Sequence, residues 1–305
     1  LKLAFIQYDE EREPFKKLHR LLDSIEILVK LHTAVIMSDY FRISEASDKA
    51  KGLLAGGLTR PSLGIWWQFA RELCLEMLEE KTDFFLGGVE CYVGAKTSGH
   101  GKWKGDLFEA LEGNENLISF RNKYAHGATP PDEESTVDFV KFEKVFRKLV
   151  LGAIHFKGAC LVGVEEDGVR LFPPPRKKFS SAAGKIPRGL DNAGKCFLLR
   201  EDGEFLLLHP LLFCRRDTPN SNYGFFFYND LRKRDVNMLE YDRSWRWRDE
   251  DMRQDLLGVF PIDRWKAFTD SEIQVIINRL TEDFKGRVSE IDEILGFIAR
   301  PQGGP

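Results

Sequence analysis

The sequence predicts an α+β protein: an N-terminal all-α helical bundle, a small β-rich domain after it, and a C-terminal linker helix. Three observations carry that expectation. From Pro14 to Ile154 apolar residues recur at three- and four-residue steps, the helical period. At His155 the pattern changes to short apolar runs joined by Asp-Gly pairs, which is how hairpins are written. From Ser271 to Ala299 the helical spacing returns. A length of 305 residues is about twice a typical domain. The expected division is residues 1–154 for the bundle, 155–268 for the β-rich domain and 269–305 for a helical linker.

The first helix spans about residues 14–40, with Phe15, Leu18, Leu22, Ile25, Val29, His32 and Ile36 as its stripe and Pro14 in its first turn. Gly56, Gly57, Arg60 and Pro61 break the chain. A second helix, about Ser62 to Glu80, carries Ile65, Phe69, Leu73, Met77 and the pair Trp66-Trp67. Gly87 to Gly105 is rich in glycine and reads as a loop. Helix resumes from Asp106 to His126 with an interruption at Gly113-Asn114, and again from Glu134 to Ile154 after Pro130-Pro131. Together these make a bundle of four or five helices. Ala159–Val164 and Val169–Phe172 flank Asp167-Gly168, and Cys196–Leu199 and Phe205–Leu208 flank Asp202-Gly203. With the run Tyr223 to Tyr228 they give at least five strands. The densely charged stretch Asn229 to Trp265 is expected to be partly helical.

The composition is that of an ordinary globular chain, with 43% hydrophobic and 30% charged residues. A net charge of −3 exerts no global pull on nucleic acid, so any such binding must rest on local patches. Cys74, Cys91, Cys160, Cys196 and Cys214 show no C-x-x-C spacing and are odd in number. They fit reduced, mostly buried thiols of a cytoplasmic protein, not a disulfide framework or a zinc site. No run approaches the eighteen or so apolar residues of a membrane span, and no signal peptide is recognisable. The sequence opens at Leu1 and stops at Pro301–Pro305 just after an amphipathic helix, so a longer parent protein is expected.

The strongest local signal is Arg121-Asn122-Lys123-Tyr124-Ala125-His126, closed by Gly127. Asn122 and His126 are i and i+4, share a helix face and can hydrogen-bond. Arg121 to His126 is i to i+5, so the two meet on one phosphate only if the helix loosens or two copies face each other. Gly127 suits the residue after a helix end, and the last turn favours a protonated His126. Imidazole is the usual proton donor and acceptor in phosphodiester cleavage, and arginine is suited to holding the phosphate. Plain helix capping accounts for the same residue types equally well, because basic residues are favoured in any last turn.

The segment resembles the signature of HEPN domains: arginine, a polar residue, a short spacer and histidine at the end of a helix within a four- or five-helix bundle. The resemblance covers about half the chain. It implies a homodimer or higher homo-oligomer whose motifs form one cleft. That cleft would cut RNA by attack of the ribose 2′-hydroxyl, without metal or other cofactor. Arg121 would hold the phosphate, Asn122 orient the histidine, and His126 transfer protons. Lys123, and His100, Lys102 and Lys104 in the basic loop, are the candidate RNA contacts. Some members of the family are inactive modules that dimerise or sense a ligand, and a signalling scaffold is a further alternative.

A second segment, Phe284-Lys285-Gly286-Arg287 followed by Glu290, Ile291, Ile294 and Leu295, is similar to the F-x-G-R-x-x-E lead into STAND-type NTPase modules. It implies a C-terminal NTPase module in the full-length chain and an effector role in bacterial defence or stress response. No G-x-x-x-x-G-K-[ST] occurs in the sequence. The basic run Arg176-Lys177-Lys178 and the alternating Arg243-Ser244-Trp245-Arg246-Trp247-Arg248 can touch phosphate or bases, but solvated linkers and local ion pairs with Asp249, Glu250 and Asp251 explain them as well.

Overall fold

The computed structural model describes residues 10–260 except 44, 95–103, 126–129, 167, 173–178, 180–181, 217–222, 232–235, 242–244 and 250. Within them a helical region comes first and small antiparallel sheets follow, all inside one compact unit, Leu1–Pro261. The expected helix from Ser271 to Ala299 and the Phe284–Arg287 motif lie outside the described residues, as does the basic run 176–178.

Helix α1, Pro14–Ile43, is the hub. Its buried residues run around the whole cylinder from Leu18 to Tyr40, as expected for a helix with neighbours on every side. Each buried Leu, Ile or Val contributes about 1.5–3 kcal/mol. Several polar side chains are buried with them and are satisfied locally. Ser24 Oγ donates to the Arg20 carbonyl at 2.8 Å, Thr33 Oγ1 to that of Val29 at 2.9 Å, and Asp39 accepts the Phe85 amide at 2.5 Å.

Helix α2, Asp48–Gly57, is capped by Ser47, whose hydroxyl accepts the Ala50 amide at 3.0 Å, and was not expected from the sequence. Helix α3, Leu63–Glu79, is capped by Ser62 and packs on α1 through the fully buried Trp66, Trp67, Phe69 and Leu73. The expected loop 87–105 contains a short helix, α4, Val89–Val93. Gly94 follows it with φ +94°, and a Cβ on Gly105 would lie 2.5 Å from the Gly94 backbone. That approach holds Gly94 against Gly105, with Lys104 just before α5, Asp106–Leu111. The expected interruption at Gly113 is real: α6, Leu117–Ala125, is a separate helix. Helix α7, Asp132–Gly152, packs along α1.

The change from helix to strand falls at Gly152–Ala159. One sheet is ordered β2-β1-β3-β4, from Ala159–Val164 (β1), Val169–Phe172 (β2), Cys196–Arg200 (β3) and Phe205–Leu207 (β4). Alternate residues Cys160, Val162 and Val164 face a core closed by Phe179, Ala182, Ala183 and Ile186. The second is ordered β5-β6-β7-β8, from Leu212–Arg216 (β5), Tyr223–Leu231 (β6), Val236–Glu240 (β7) and Trp245–Asp249 (β8), followed by helix α8, Asp251–Val259. The stretch Asn229 to Trp265, expected to be partly helical, holds the antiparallel pair β7 and β8 and then helix α8, so its described helical part begins at Asp251. The sheets dock on the helices through named contacts. Tyr228 donates its hydroxyl to the Leu58 carbonyl and sets its ring 6.0 Å from Trp66, and the Leu231 amide reaches the Thr59 carbonyl at 2.9 Å. No helix among the described residues is long and apolar enough to cross a membrane.

Candidate functional site

Helix α6 starts at Asn116, whose side chain accepts the Ser119 amide at 3.2 Å. Phe120 stacks 4.0 Å from Phe142 and 4.6 Å from Tyr124, and Tyr124 donates to Asp138 at 2.5 Å. These contacts clamp one face of α6 onto α7. The adjoining face then turns Arg121 toward α1, where its Nη2 donates to Glu26 Oε2 at 3.0 Å. Asn122 is half-buried, and Lys123 is exposed and pairs with Glu134 at 2.9 Å. Lys104 is exposed. No interaction among the described residues links Lys104 to Arg121. His126, His100 and Lys102 lie outside the described residues, so the expected Asn122–His126 pairing does too.

What the helices assemble around Arg121 is a buried ionic cluster. Glu26 Oε1 accepts the Tyr241 hydroxyl at 2.5 Å and lies 3.2 Å from Lys30 Nζ, while Oε2 takes Arg121. Lys30 is fully buried, with its ammonium 5.2 Å from the Tyr241 ring and 5.6 Å from that of Trp66. Arg20 donates to the Tyr241 carbonyl at 3.2 Å. Burial works against the Glu26 charge, but Lys30, Arg121 and the Tyr241 hydrogen bond outweigh it and hold the carboxyl below its ordinary range. Burial pulls Lys30 down despite Glu26. Asp23, one turn earlier, is pushed up to about 6 by burial and then by the Glu26 charge. His19 is pulled down by burial and then by the charge of Arg121.

His19, Asp23, Glu26 and Lys30 stand at i, i+4, i+7 and i+11, a single stripe of α1. The sequence therefore held a signal that its apolar stripe concealed: four ionisable side chains on one face of a largely buried helix. Their partners Arg121 and Tyr241 lie 95 and 215 residues from Glu26, beyond the reach of any local pattern. His19 sits close enough to Arg121 to feel its charge.

The chemistry open to this arrangement follows from the unused donors. Guanidinium carries five N–H groups in a rigid fork, and Glu26 engages one terminal nitrogen. The Arg121 side chain keeps 30% of its surface exposed, enough to meet an anion arriving from solvent. His19, held below the usual imidazole range by burial and by the Arg121 charge, is neutral at pH 7. Among the described residues, no three His, Cys, Asp or Glu side chains group as a metal site requires. No protein-family model, curated protein or solved structure matches the chain.

Proposed function

We propose that the chain is a metal-independent endoribonuclease effector of HEPN type, with Arg121, Asn122 and His126 as its catalytic residues. The observation that supports this most is the bracing of Arg121. Glu26 fixes its guanidinium by a part-buried, charge-assisted hydrogen bond and leaves part of it in solvent. An arginine set in this way meets a phosphate without first losing its own conformational freedom. A second support is Asp23, whose carboxyl is held at about 6 beside it. Displaced acids of this kind cluster at functional sites. In the proposed reaction the ribose 2′-hydroxyl loses its proton to an imidazole and attacks phosphorus. The 5′-oxygen leaves with a proton, and Arg121 holds the phosphoryl charge. The products are a 2′,3′-cyclic phosphate and a 5′-hydroxyl. The similarity of Phe284–Arg287 to STAND-type leads extends the proposal to an oligomerising parent protein in which an NTPase module governs the nuclease.

The test is cleavage of total RNA in EDTA by the purified chain, alone and crosslinked into dimers, beside His126→Ala and Arg121→Ala. Wild type should cut and both variants should lose at least about a hundredfold in rate. Intact RNA with wild type in every oligomeric state would sink the nuclease reading, and undiminished cutting by both variants would move the site elsewhere. A second reading, a catalytically silent dimerisation module, is favoured by one fact: Arg121 and Lys123 both have carboxylate partners within the chain, Glu26 and Glu134.

A further inference from the structure

Away from Arg121, on the side of the helical region that meets β3, a cavity of about 720 Å³ opens between the segment 82–90, the turn 154–158 and Arg200. Its lining includes Asp83, Phe84, Glu90, His155 and Arg200. Behind it stand two histidines in series, and their protonation is dictated by one carbonyl. His32 Nδ1 lies 2.7 Å from the Leu28 carbonyl oxygen, which can only accept, so Nδ1 carries the proton. Full burial keeps the His32 ring neutral, so its Nε2 presents a lone pair. His155 Nε2, 3.0 Å away, must therefore donate to it. His155 is left with a bare Nδ1 as the acceptor of a ring that lines the cavity. The rings are held by Tyr92, stacked 4.7 Å from His32 and tilted at 5.0 Å from His155, with its hydroxyl anchored on the Leu149 carbonyl at 2.9 Å.

The charges of the lining are lopsided. Arg200 is already met by Asp202, by Glu204 at 3.2 Å and by the Phe85 carbonyl at 3.3 Å. Glu90 accepts the Gly88 amide at 3.0 Å and the weakly donating Cys91 thiol. Among the described residues neither Asp83 nor Glu90 has a cationic partner. Among the described residues the cavity thus offers two carboxylates without a cationic partner, an aromatic edge at Phe84 and the bare Nδ1 of His155. We propose that it binds a small planar organic cation of the amidinium or guanidinium class, with an N–H donated to His155 Nδ1 and its charge held by Asp83 and Glu90. An anion meets the wrong charge sign and no donor on His155. The proposal is independent of the nuclease reading.

The experiment uses two probes of one shape and opposite charge, benzamidine and benzoate, with the 15N-labelled chain. In the free protein the His155 ring should show the Nε2-protonated tautomer at neutral pH. Benzamidine at millimolar concentration should move the His155 Nδ1 resonance and leave that of His32 Nδ1 in place, and benzoate should move neither. Asp83→Asn and Glu90→Gln, both at the cavity wall and outside the helical core, should each weaken benzamidine by about tenfold with an unchanged unfolding temperature. Benzoate binding as tightly as benzamidine would overturn the proposal. So would an unmoved His155 resonance with benzamidine, or full affinity in both variants.

Discussion

Replacing Glu26 with glutamine removes one charge and almost no volume, so it isolates the electrostatic role of the residue that joins α1, α6 and the end of β7. In the native protein the Glu26 carboxylate faces two cations, Lys30 at 3.2 Å and Arg121 at 3.0 Å, and accepts the Tyr241 hydroxyl. Without it, Lys30 is a fully buried ammonium that loses its ion-pair partner and still feels the repulsion of Arg121. Breaking a buried ion pair from one side costs roughly 3–5 kcal/mol, because the remaining charge has neither water nor partner. Part of that cost is escaped if Lys30 gives up its proton, to which burial already predisposes it. Urea unfolding of Glu26→Gln should therefore lose about 3 kcal/mol with an unchanged slope, and the thermal midpoint should fall by roughly 6–12 °C. Glu26→Gln combined with Lys30→Met should recover most of the loss, since a well-packed apolar pair replaces buried ions at little cost. A loss below about 1 kcal/mol for the single variant, or a double variant worse than the sum of its parts, would refute the buried-pair reasoning.

Other expectations follow from the same geometry. Asp23, displaced from 3.8 to about 6, favours its protonated form in the folded state. Its stabilising effect is complete below pH 3.8 and is lost as pH rises through 6. Asp23→Asn should therefore stabilise the protein at pH 7 by up to about 3 kcal/mol and leave it unchanged near pH 3.5, measured by urea unfolding at both pH values. His32 and His155 have the opposite sign. Burial lowers them to about 3 and about 4, so their neutral forms support the fold above pH 6.5 and that support drains away as pH falls toward 4. His155→Phe should flatten the acid limb of the stability profile between pH 6.5 and 4 by up to about 1.4 kcal/mol per pH unit. Ser47→Ala removes the acceptor of the Ala50 amide and should cost about 1 kcal/mol, seen as a lower urea midpoint.

The elements legible in the sequence were those with one clean period. The stripe from Phe15 to Ile36 on α1 and the two Asp-Gly hairpins needed no tertiary information. Strand β7 was hidden because its alternation is masked: Val236 and Met238 are buried, but so are Asn237 and Glu240. Asn237 spends its amide on Asp230 of β6, a cross-strand polar pair that a hydrophobicity pattern reads as solvent-facing. The short β5, Leu212–Arg216, was hidden by its two terminal arginines. For the site, the motif located Arg121 correctly on a helix, but nothing near it in sequence announced Glu26. The polar stripe His19–Asp23–Glu26–Lys30 was present at helical spacing. Such spacing alone does not separate it from a solvated face, because only the arrival of α6 and of Tyr241 makes it an interior one.

In the proposed reaction Arg121 holds a phosphodiester while a histidine moves protons, without a metal. The chemistry of the ends left on cleaved RNA separates this route from a metal-dependent one. After digestion in EDTA, 2′,3′-cyclic phosphates and 5′-hydroxyls that disappear with Arg121→Ala are expected. Ends bearing 3′-hydroxyls and 5′-phosphates, or cutting that appears only when magnesium is added, would contradict it.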